Sequence, residues 1–103
     1  MISLSKFSMI AQFTAQPGER DALAAILLEA AAGAGSAAAC EQYIIHYPAD
    51  KPDVIVVTEI WSSEEAHAAS LALAETRATI QRAMPLIAGV ESTRLTPVGG
   101  KGV

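Results

Sequence analysis

Val54-Ile55-Val56-Val57-Thr58-Glu59-Ile60-Trp61 runs straight into Ser62-Ser63-Glu64-Glu65-Ala66-His67, and the reading of that junction decides the fold. The first half is an almost unbroken β-branched run, the pattern of a strand covered on both faces. The second half opens a helix: Ser62 is a capping residue, and Glu65, three residues on, completes a capping box. Side chains alternate along a strand, so Val57, Glu59 and Trp61 share one face while Val56, Thr58 and Ile60 share the other. One face therefore carries an acid and the only tryptophan of the chain. His67 follows in the second turn of the helix.

The flanking sequence supplies the partners of this strand. Upstream, Cys40 to Tyr47 alternates, with Tyr43, Ile45 and Tyr47 opposite Cys40, Gln42, Ile44 and His46, and the polar turn Pro48 to Asp53 joins the two strands as a hairpin. Further upstream, Lys6 to Gln16 alternates Phe7, Met9, Ala11 and Phe13 against Ser8, Ile10, Gln12 and Thr14, which predicts strand one. Pro17-Gly18 ends it, and an alanine-rich helix with Leu23, Ile26, Leu27 and Ala30 at helical spacing follows, failing by Gly33-Ala34-Gly35. Downstream, helices are expected from about Ser63 to Ala74 and from Thr76, a new cap, to Pro85. A last strand spans Val90 to Pro97. The sequence thus predicts a single domain over residues 1–103, with 98–103 as a flexible tail.

The order β-α-β-β-α-β is that of an α+β, ferredoxin-like fold: an antiparallel sheet with helices on one face. Helices cover one side only, whereas this strand is apolar on both. A second copy packed sheet to sheet is the simplest cover for the remaining face, so a homodimer is expected.

With 103 residues, 51% hydrophobic and 17% charged, the chain holds one modest core. No apolar run approaches a membrane span, which needs roughly 18 to 20 residues. Met1 to Ile10 lacks the apolar segment and cleavage site of a signal peptide. A net charge of −4 without a basic cluster argues against nucleic acid and anionic membrane surfaces as partners. The lone Cys40 can form no internal disulfide, consistent with a reducing, cytoplasmic setting.

Three segments, Ala15-Gln16-Pro17-Gly18, Cys40-Glu41-Gln42-Tyr43 and Thr58 to His67, together resemble the antibiotic biosynthesis monooxygenase family of dimeric α/β barrels, close to the small quinol monooxygenases. The resemblance implies a small aromatic or quinol-like substrate oxidised by molecular oxygen without metal or flavin. Members differ in chemistry, and some degrade haem or isomerise a phosphorylated diketone, so the site must decide. Two positions depart from the family. Val57 stands where polyketide-oxidising members carry asparagine, and Ser70 stands where many carry a second histidine. Haem-degrading members place tryptophan at the Ser70 position, which disfavours that reaction here.

Each candidate residue has a plain reading beside the functional one. Trp61 is either a cavity wall or simple core; if buried, its indole N–H needs an acceptor, which a phenolic oxygen or Glu59 could supply. Glu59 reads as a buried acid satisfied by a hydrogen bond in preference to a general base. His67 is either the catalytic base, since imidazole titrates near ~6.5 in water and suits a phenolic proton, or a polar residue on an exposed helix face. Tyr43 and Ser70 are candidate pocket residues by family position, and Phe7, Met9 and Phe13 are candidates for closing the cavity. No metal or cofactor is indicated: Glu64 with His67 is the only pair at ligand spacing. The alternatives to oxidation are a non-catalytic small-ligand-binding dimer and an isomerase of a small phosphorylated diketone, the latter relying on Arg77, Arg82 or Arg94.

Overall fold

In the computed structural model, which describes residues 6–35 and 38–103, the chain runs β1 (Phe7–Ala15), α1 (Arg20–Gly35), β2 (Cys40–His46), β3 (Val54–Trp61), α2 (Glu64–Leu71), α3 (Ala74–Ala83) and β4 (Ile87–Leu95), with a 3-10 turn at Met84–Leu86 before the last strand. Met1 to Ser5 and Ser36-Ala37 lie outside the described residues, as does the first half of the Met1–Ile10 segment read above. The strands form one antiparallel sheet in the order β2-β3-β1-β4. This is the ferredoxin-like α+β arrangement, and it puts β3 and β1 at the centre.

Why the elements form follows from local chemistry. Gly18, at φ +77°, lets the chain reverse after β1 in a conformation that side-chained residues avoid, and Glu19 N–H donates to the Gln16 carbonyl across the turn. α1 then lays Leu23, Ala24 and Leu27 on the sheet face that carries Ala11, Ala15, Ile55 and Val57, with Ala83 of α3 beside them. Leu23 and Ile55 are fully buried, and each contributes about 1.5–3 kcal/mol of transfer free energy.

Several local details differ from the sequence reading. The cap of α2 is Ser63, whose hydroxyl accepts from Ala66 N–H, because Ser62 N–H is still held by the Ala39 carbonyl at the end of the sheet. With Ala66 at the reciprocal position, no capping box closes. The break between α2 and α3 falls at Ala72-Leu73, and Leu73 caps α3 without a side-chain bond. β4 starts at Ile87 because a register shift at Thr14/Ala15 lets Ala15 pair with it. A second shift, between Cys40 and Gln42, sets Cys40 directly opposite Trp61; directly opposed residues share a face, so Cys40 joins the Trp61 face and not that of Gln42.

Among the described residues, no helix covers the other face of the sheet. Ile10 and Ile44 are exposed there and Leu95 stands at its edge, with Val56 and Ile60 half-buried between them. The tail after β4 reaches back to β2, where a β-carbon on Gly102 would lie 3.9 Å from Gln42 Nε2.

Truncating the centre of the core tests the packing. Ile55→Ala should cost about 2–5 kcal/mol, read as a lowered urea midpoint at unchanged slope; a loss below 0.5 kcal/mol would mean that β3 is not the core strand.

Candidate active site

Glu59 and Trp61 are two residues apart on β3, so both point to the helix-covered side. There the Trp61 indole Nε1–H donates to Glu59 Oε1 at 3.0 Å, and both residues are buried, at 3% and 6% exposure. Only two residues separate Trp61 from α2, so the helix doubles back at once and brings His67 over the same spot. Its ring stacks on Phe7 with centroids 4.5 Å apart and meets Trp61 edge-on at 5.5 Å. Its Nε2 lies 3.8 Å from Glu59 Oε1, and its side chain is 14% exposed. His67 is therefore part of a buried aromatic cluster and not a residue on the open helix face.

Cross-strand neighbours complete the surroundings. Met9 and Tyr43 flank Glu59 from β1 and β2, and Phe7 and Cys40 flank Trp61. Phe13 pairs instead with Ile55, six residues along β1 from Phe7, or about 20 Å at strand rise. It packs on the core cluster, so the cavity-closing role expected of it has no counterpart at this end of the sheet. Ser70 donates its hydroxyl to the His67 carbonyl at 2.6 Å, which commits that proton to the helix. Val57, at 1% exposure, belongs to the core.

Burial lifts the Glu59 carboxyl above the ordinary carboxylate range, although the Trp61 hydrogen bond and the positive charge of a protonated His67 pull it back. Burial likewise raises the Tyr43 phenol, with the Glu59 charge adding to it, and the Cys40 thiol, which also faces the charges of Glu59 and Glu41. The thiol is thus not activated. Glu64 pairs with Arg94 while His67 faces Glu59, so the two do not converge as ligands. Among the described residues no group of three or more His, Cys, Asp or Glu is placed to hold a metal ion, and no helix is long and apolar enough to cross a membrane.

A cleft of about 490 Å³ opens beside the cluster, lined by Lys6, Phe7, Glu64, Glu65, Arg94, Leu95 and Thr96. Phe7 belongs to both: it lines the cleft and stacks on His67. Trp61 is not among the lining residues of this cleft, nor of another at Arg20 and Tyr47. The Arg94 guanidinium lies 5.3 Å from the Phe7 ring centroid and bonds Glu64. The cleft was not legible beforehand. Its one signal was that Arg94 falls in phase with Val90 and Ser92 on β4, which places it beside Met9.

The raised Glu59 carboxyl has a sign that can be measured. A carboxyl whose folded pKa exceeds its unfolded one favours the native state below the unfolded value, and that stability is lost as pH rises through the folded value. Glu59→Gln keeps an oxygen for the indole and does not ionise. Its urea midpoint should therefore gain on the wild type as pH rises from the carboxylate range towards neutrality, and a difference that stays constant or shrinks contradicts the assignment.

The pattern that defines the family described as antibiotic biosynthesis monooxygenase matches residues 6–82. Among solved structures, a candidate antibiotic biosynthesis monooxygenase from Chloroflexus aurantiacus is 42% identical, with 93% of this chain and 96% of that one covered at a TM-score of 0.85. A candidate of the same family from Caulobacter crescentus superposes at 0.86 with 20% identity over 92% of each chain. A variant of SnoaB, a cofactor-independent oxygenase from Streptomyces nogalater, superposes at 0.84 with 15% identity over 94% of this chain and 97% of that one; at such identity the likeness is one of fold. No curated protein gives a significant match. With the family pattern spanning most of the chain, this protein belongs to the antibiotic biosynthesis monooxygenase family.

Proposed function

We propose that this chain is a homodimeric, cofactor-independent monooxygenase that oxidises a quinol or polycyclic phenol with molecular oxygen. The observation that carries the reading is His67, an imidazole held between two aromatic rings with a carboxylate 3.8 Å from Nε2. A base so placed can take a phenolic proton while Glu59 stabilises the imidazolium that results. The surrounding apolar side chains exclude water, which favours charge transfer out of the phenolate.

The chemistry then belongs largely to the substrate. The deprotonated ring, reactive at carbon, passes one electron to oxygen, and the resulting radical pair combines to a carbon-bound peroxide. Loss of water leaves a carbonyl, so that a ring CH₂ and O₂ become C=O and H₂O. The protein removes the proton and holds the ring near oxygen. Phe7, Met9 and Tyr43 surround Glu59 and Trp61 in register and are the side chains against which a ring would lie. Phe7 would have to turn out of its stack on His67 to admit one from the cleft. The chain's relation to SnoaB in fold and to the family in sequence supports this class of reaction.

Val57 favours a second reading. Where polyketide-oxidising members carry asparagine, this chain has a core valine, as expected of a dimer that binds a small aromatic ligand without oxidising it.

Oxygen uptake with a panel of quinols and anthrone-like phenols separates the two. Turnover is expected in the wild type and should fall by about 10²–10⁴ in His67→Ala, as for loss of a general base. No uptake with any member of the panel supports the binding reading, and undiminished turnover in the variant removes His67 from the mechanism. Light scattering tests the dimer. Cover for the helix-free face, where Ile10, Ile44 and Leu95 are exposed, predicts about twice the 10.7 kDa chain mass and an obligate-type interface of roughly 2,000 Å² or more. A monomer at micromolar concentration contradicts it.

A further inference from the structure

We infer that the cleft beside Phe7 takes an anionic aromatic, with Arg94 as the residue that selects for its carboxylate. The inference rests on the proposed site and names the class of ligand that would reach it. The cleft's one aromatic wall is Phe7, and Arg94 lies over that ring. With His67 already stacked on Phe7, a ligand entering the cleft meets the guanidinium beside that ring, and its planar fork suits a carboxylate in a two-bond pairing.

The cleft holds two cations and two carboxylates, Lys6, Arg94, Glu64 and Glu65, and they are not equally free. Lys6 bonds Glu41 of β2 at 2.5 Å, with side chains only 23% and 31% exposed. Arg94 and Glu64 are 64% and 61% exposed, and so exposed a pair is held weakly and screened by salt. Arg94 is thus the cation that an incoming anion can claim. Glu64, released, sits at the start of α2, where the helix dipole and water still favour a carboxylate. The two acids serve as a filter, since an anion that fails to reach Arg94 is left facing Glu64 and Glu65, with Lys6 already held by Glu41.

Calorimetric titration of the full chain with 2-naphthoate and with neutral 2-naphthamide tests this without any turnover. Wild-type protein should bind the carboxylate about tenfold more tightly than the amide, the worth of a charge-assisted hydrogen bond. Arg94→Gln should abolish the preference, Arg94→Lys should retain part of it, and Glu64→Gln, which removes the internal competitor, should enlarge it. Unchanged thermal melting of the variants confirms that they fold. Equal affinity for the two probes in the wild type, or a preference that survives Arg94→Gln, overturns the inference. Its failure is separable from that of the oxygenase reading. A protein that consumes oxygen with neutral quinols yet binds both probes equally contradicts only this inference, and one with an Arg94-dependent preference but no oxygen uptake contradicts only the other.

Discussion

A tryptophan N–H buried against a buried carboxylate is the interaction on which the site depends. Neither group is tolerable there alone. An unpaired indole N–H away from water costs about 1–3 kcal/mol, and an isolated carboxylate costs more, so it shifts towards the neutral form. Paired at 3.0 Å, they satisfy each other, and among the described residues no buried side-chain polar atom is left without a partner. The bond also fixes the indole plane, which in turn gives His67 an edge to rest on.

Everything else places groups around that pair. β3 is central, so the pair receives neighbours from both sides: Met9 and Phe7 from β1, Tyr43 and Cys40 from β2. The two-residue link to α2 brings an imidazole back over the strand it has just left. Phe7, stacked on His67 and open to the cleft, is where this buried group meets the surface. The cost is carried by Glu59, whose carboxyl is lifted by burial; functional sites collect acids perturbed in this way, as do structural networks of paired charges.

Much of this was legible in the sequence, and the misses share a cause. The β-branched run 54–61 admitted one reading, and its alternation put Glu59 and Trp61 on one face without further information. The indole's need for an acceptor left Glu59 and a substrate oxygen as candidates, and the structure gives it Glu59. The errors arose where a non-local hydrogen bond chose between local equals. Ser62 and Ser63 are both good caps, and the Ala39 carbonyl decides between them. The shift beside Cys40 is a pairing event that alternation cannot reveal, and it moved the thiol to the tryptophan side. Phe13 shares a face with Phe7, yet the length of β1 separates them; periodicity gives the face but not the neighbour. Arg94 was visible as a cation and not as a wall, since its role needs β4 laid beside β1.

Family membership fixes the scaffold, and the Glu59-Trp61-His67 cluster is what this chain builds on it. Because the chain has a single tryptophan, a ¹⁵N-labelled sample gives one indole N–H resonance, which reports directly on the bond at the centre of the account. That resonance should be protected from exchange with solvent and should shift with a carboxyl titrating above the ordinary carboxylate range. A signal that exchanges like free indole and stays indifferent to pH would contradict it.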